Sequence, residues 1–130
     1  MYLSMGDPFQ YAINGRTNRE SEFSEEGTIF MPIFDEYNVD LVLSAHLHTY
    51  RDRGHIRNFE RDATGPLYII TGIAGDVRYP NLWQQHPLDV YVDPQPETNN
   101  YMTLDVSPNQ LIVKSYLPDG TVLEEVSIDK

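Results

Sequence analysis

"VDLVLSAHLHTYRDRGHIR", residues 39–57, is the stretch on which the reading of this chain turns. An apolar run, Val39 to Ser44, stops at two histidines spaced two apart, and charged residues crowd in directly behind them. The run has the length and composition of a buried strand. Residues i and i+2 of an extended segment project to the same side, so the rings of His46 and His48 can converge on one metal ion or on two adjacent ones. An isolated His-x-His is weak evidence for a metal site, and its place just beyond a buried strand strengthens it.

Upstream of that strand, Ser24 followed by Glu25 and Glu26 suits a helix N-terminus, where a side-chain oxygen caps free N–H groups and acids meet the positive end of the dipole. Ile29, Phe30, Ile33, Phe34 and Tyr37 recur at helical spacing and predict one apolar face, with Pro32 as an interruption and Asn38 as the stop. Tyr2 to Met5, ending at Gly6-Asp7-Pro8, reads as an earlier strand. Strand, helix and strand make a βαβ unit with a right-handed crossover. Ligands of such sheets bind beyond the carboxyl ends of the strands, which places Asp7 and the two histidines on one edge.

Downstream, "PLYIIT" at 66–71 is a further strand ending at Gly72, and residues 76–100 read as a long polar loop. Three alternating segments, "YMTLDVS", "QLIVKSYL" and "TVLEEVSI", are joined by Pro108-Asn109 and Pro118-Asp119-Gly120 and predict an antiparallel meander. The fold class is therefore α/β, one domain over residues 1–130, with a βαβ unit and a C-terminal β meander.

The net charge of −11 argues against a nucleic-acid binder or an anionic-membrane binder, and no apolar run approaches the about 20 residues that span a bilayer. With no cysteine, any metal must be held by His, Asp, Glu, Asn or Tyr. Arg51, Arg53, Arg57 and Arg61 form a basic cluster, read either as a solvated loop paired with Asp52, Glu60 and Asp62 or as an anion-attracting element beside a site. His55 and His86 read as exposed loop histidines. Trp83, Tyr79 and Tyr91 read as aromatics that pack the long loop down, and Asp40 as a local cap.

The string "YNVDLVLSAHLHTYRDR" resembles the closing motif of the calcineurin-like metallophosphoesterases, in the purple acid phosphatase branch: an aspartate-containing apolar strand, then Ser-Gly-His-x-His-x-Tyr and Glu-Arg. Val39, Asp40, Ser44, His46, His48 and Tyr50 carry the agreement. "GPLYIITGIAG" at 65–75 is similar to the Gly-Pro-x-Tyr-Ile strand that follows in that branch, and "MGDPFQY" at 5–11 stands where the branch has Met-His-x-Pro-x-Tyr. The resemblance implies a partial metallophosphoesterase sandwich, the C-terminal half of the catalytic domain. It implies a pair of metals (Fe, Zn or Mn) that activate a water for attack on a phosphate ester, with His46 on one metal and His48 on the other. Tyr50, Arg51 and Arg53 would then be substrate-binding or supporting groups.

The departures shape the functional expectation. Gly6 stands where the branch has a ligand histidine, leaving Asp7 as the substitute, and Ala45 and Arg51-Asp52-Arg53 replace Gly and Glu-Arg. The Asp-x-His, Gly-Asp-x-x-Tyr and Gly-Asn-His segments that would supply the remaining ligands lie upstream of the histidines in the branch, and none occurs upstream of them here. The expectation is a truncated phosphatase-like hydrolase module that is inactive by itself. The alternatives are a non-catalytic binding or assembly module and one chain of a two-chain phosphatase. The partner expected is a missing N-terminal half or a second copy in a homodimer.

Overall fold

A computed structural model describes residues 8, 23–45, 48–75, 85–94 and 97–130. The expected strand at Tyr2–Met5, together with Asp7, His46, Tyr79 and Trp83, lies outside the described residues.

Helix α1 runs Glu25–Glu36, and Ser24 caps it as its sequence demands, its hydroxyl accepting from the Gly27 N–H at 3.0 Å. The helix stops at Asn38 for a local reason. Asn38 takes φ +49°, its N–H donates to Asp35 O and the Val39 N–H donates to Phe34 O, the paired bonds of a left-handed C-terminal cap. The buried face differs from the expected one. Gly27 and Met31 are buried and Phe34 packs beside them, whereas Ile29, Ile33 and Tyr37 stay exposed. Residues 27, 31 and 34 form a competing stripe at helical spacing. Only Gly27 admits the close approach of Pro8, whose carbonyl oxygen would lie 1.9 Å from an added Cβ.

Five strands make the larger sheet: β1 (Leu41–Ser44), β2 (Tyr50–Arg57), β3 (Glu60–Arg61), β4 (Leu67–Thr71) and β5 (Tyr91–Val92). Their order is β1-β4-β2-β3, with β5 beside β3 on the outer side of β2. The parallel pair is β1–β4, in register Leu41↔Leu67 to Ser44↔Ile70. β2 runs antiparallel to β4, with Tyr50 opposite Thr71. The arginine-rich segment is thus an inner strand and not a solvated loop. The residues after His48 fill the gap between β4 and β5, and their backbone groups pair on both sides.

The meander is as the alternation requires: β6 (Tyr101–Val106), β7 (Gln110–Tyr116) and β8 (Val122–Asp129) pair antiparallel in sequence order. Two cores result. Met31, Val42, Ile56 and Tyr68 fill the space between α1 and the larger sheet. Tyr50, Leu67, Ile69 and Val113 fill the space between the two sheets. Each such aliphatic side chain contributes about 1.5–3 kcal/mol on burial.

Candidate functional site

Three loops meet at one edge of the larger sheet. The parallel pairing puts the carboxyl ends of β1 and β4 side by side, and the antiparallel β2 begins there. His48 and Thr49, which lead into β2, therefore lie at the edge from which Gly72–Gly75 leaves β4. The segment after β5 returns to the same edge, because Asp93 N donates to Tyr50 O and Asn100 N donates to Ile73 O.

His48 is half-buried and takes φ +23°, an uncommon backbone state for a non-glycine residue. Directly after it the chain plunges inward, with Thr49 and Tyr50 at 1% and 0% exposure. Tyr50 does not present its ring to the edge. Its side chain runs between the sheets, its hydroxyl donates to Glu124 Oε2 at 2.9 Å, and its ring meets Tyr91 edge-on at 6.1 Å. Burial and the Glu124 carboxylate hold its phenol well above the ordinary range.

Arg51 and Arg53 are buried on the opposite face of β2 and share one carboxylate. Their Nη1 atoms donate to Asp89 Oδ2 at 2.8 Å and Oδ1 at 2.7 Å, and Asp89 also takes the His86 N–H. The β2–β4 register shifts between Asp52 and Gly54, so the bulge falls at Arg53. His86 is buried, contrary to the expectation of an exposed loop histidine, with Nδ1 accepting from Leu88 N and its ring beside Phe23. His55 also departs from that expectation, lying in strand β2 with Nδ1 against Gly65 O at 2.8 Å. Asp40 pairs with Lys130 from the far end of the chain.

Between Asp93 and Asn100 the chain carries buried polar groups that the sequence did not single out: Asp93, Glu97 and Asn100. Burial, then the neighbouring Glu97 charge, pushes the Asp93 carboxyl up to about 7. Burial is also the first cause at Glu124, pushed up to about 7, with Asp52 and Asp93 adding to it. Asp52 itself is raised by burial, against the pull of the Gly54 N–H and Arg61. In "DPQPETNN" Asp93 and Glu97 look like ordinary loop polarity. Only their convergence on Tyr50 marks them.

A dinuclear metal centre needs several protein ligands per ion. Among the described residues no three His, Asp or Glu side chains gather in a metal-holding group, so this part of the chain does not fit a complete centre. Of the expected ligands, His48 is at the edge described above, and His46 and Asp7 are outside the described residues. A cavity of about 230 Å³ opens at the other end of the sheet, among Asp40, His55, Arg57 and Asp129, away from His48.

No protein-family model matches the chain. It is similar to Purple acid phosphatase 15 of Arabidopsis thaliana, 26% identical over 115 residues that make up 84% of this chain and 21% of that protein. It is also similar to Purple acid phosphatase 23 of the same plant, 38% identical over 42 residues, 32% of this chain and 9% of that protein. The chain thus spans about a fifth of the first relative's length and less than a tenth of the second's. These matches relate the chain at low identity to the purple acid phosphatases and support a phosphatase-related origin.

Proposed function

We propose that this chain supplies the His46-x-His48 part of a dinuclear metal centre of a phosphate-ester hydrolase, and that it has no substantial turnover by itself. One observation carries the reading. The turn bearing His48 sits at the carboxyl ends of a parallel strand pair, facing the glycine-bounded loop after β4, which is where sheets of this kind bind ligands. The similarity to purple acid phosphatases, proteins named for phosphatase activity, supports it. The metals would be Fe, Zn or Mn, and the remaining ligands would come from residues outside this chain, with Asp7 a further candidate. Tyr50 would support the histidine turn from below, and Arg51 and Arg53 would brace strand β2 through Asp89.

A non-catalytic binding or assembly module is the second reading. It is favoured by Gly6, which has no side chain to coordinate with, and by the lack of a three-residue metal cluster among the described residues. A chromogenic phosphomonoester assay with added divalent metal separates these from an active enzyme. The expected result is no turnover above free metal. Turnover that disappears in His46→Ala and His48→Ala overturns the proposal.

A further inference from the structure

Tyr50 poses a problem that its neighbours solve. Its carbonyl points toward β5, since Asp93 N donates to it, and so its N–H points the same way. Beyond Val92 the chain has left the sheet, and this N–H, on a residue with 0% exposure, has no strand partner. A buried N–H without an acceptor is costly. Glu97 supplies the acceptor, its Oε1 taking the Tyr50 N–H.

The same carboxylate is tied to the neighbouring loop. Asn100 Nδ2 donates to Glu97 Oε1 at 3.3 Å and to Asp93 Oδ2 at 3.1 Å. Asn100 is clamped in turn on Ile73: its main-chain N–H donates to Ile73 O at 2.9 Å, and its Oδ1 accepts from Ile73 N at 3.1 Å. Gly72, at φ +90°, leaves the room for this clamp. A Cβ there would lie 1.8 Å from Asn100 Oδ1. A continuous path therefore runs from Ile73 through Asn100 and Glu97 to Tyr50, two residues after His48.

From this geometry we infer that Glu97 and Asn100 are positioning residues that fix the His48 turn against the loop after β4. His48 occupies a backbone state that persists only where surrounding structure imposes it. The buried Thr49–Tyr50 segment and its Glu97 bond impose it from one side, and the Ile73–Asn100 clamp sets the distance to the other loop. The inference deepens the proposed metal-site role and names what holds its geometry.

The test uses the isotopically labelled full chain, read by NMR amide exchange and by the His48 ring signals, with Zn²⁺ as the probe metal. Glu97→Ala should speed exchange of the Tyr50 amide about tenfold or more, the loss of one buried hydrogen bond, while Ile69 and Val113 amides keep their protection. It should also move the His48 ring signals toward those of an unfolded histidine. Glu97→Gln, whose amide oxygen accepts the same N–H, should restore both. Gly72→Ala should reproduce the His48 shift by expelling Asn100 and with it the Asn100–Glu97 bond, with the Glu97 side chain itself retained, and serves if Glu97→Ala does not fold. Unchanged Tyr50 exchange, unchanged His48 signals, or protection lost equally at Val113 would each overturn the inference. Zn²⁺ should perturb His48 in the parent chain and more weakly in Glu97→Ala. Absence of any Zn²⁺ response in the parent defeats the metal-site reading, and the exchange and ring data still decide the positioning role.

Discussion

The two faces of strand β2 bury charge in opposite ways. Toward the helix, Arg51 and Arg53 surround Asp89, and opposite charges meet at 2.8 and 2.7 Å with side chains at most 5% exposed. Toward the second sheet, Tyr50 meets Glu124 and Glu97, with Asp93 beside them, and all of these ionisable groups are acids. One face is satisfied by attraction between ions. On the other, burial favours the protonated forms of Asp93 and Glu124. A buried carboxylate beside another carboxylate is stabilised most directly by remaining neutral, and a buried guanidinium has no such option because it does not lose its proton.

The comparison breaks most visibly at Asp89. Asp89→Ala removes the carboxylate that both guanidiniums share, and should cost about 3–5 kcal/mol in denaturant unfolding. A loss below about 1 kcal/mol would mean that solvent reaches the two arginines.

The acidic face should make stability depend on pH in the neutral range. Asp93 and Glu124 each hold a proton up to about 7 in the folded state, above their values in an unfolded chain. A carboxyl raised in this way contributes its full stability below the unfolded pKa, near 4, and loses it as pH rises through the folded pKa. Unfolding by urea should therefore be harder at pH 5 than at pH 8, by roughly 2–3 kcal/mol for the coupled pair. Asp93→Asn should flatten that slope. A stability that rises from pH 5 to pH 8 would contradict the assignment.

The smallest effect belongs to Glu124→Gln. The amide oxygen still accepts from the Tyr50 hydroxyl, and the cost of ionising a buried acid disappears. The variant should gain about 1 kcal/mol at pH 8 and nothing at pH 5. A gain at both values would point to packing instead of charge.

The same contrast explains how much of the molecule its sequence disclosed. The meander was legible because each of β6, β7 and β8 alternates and its turns carry their own chemistry. Asp119 Oδ1 takes the Thr121 N–H, and Gly120 sits at φ +88°. Helix α1 was legible at both ends, where Ser24 and Asn38 act on their own backbone. Its buried face was misread, because Ile29 and Ile33 are more apolar than Gly27, yet the close approach of Pro8 favours the smaller residue. "TYRDRGHIR" was misread for a deeper reason. No local signal says that two arginines will share an aspartate 36 and 38 residues away.

What the sequence alone determined is local: the capped helix, the meander, the apolar strands, and a His-x-His placed just past one of them. Each follows from interactions among residues a few positions apart. The tertiary structure alone decided that a charged segment becomes an inner strand, that His86 is buried, and that Glu97 and Asn100 bind the His48 turn to the loop after β4. Charge burial and the pairing of orphaned backbone groups are settled by partners distant in sequence, and such partners become visible only when the chain has folded around them.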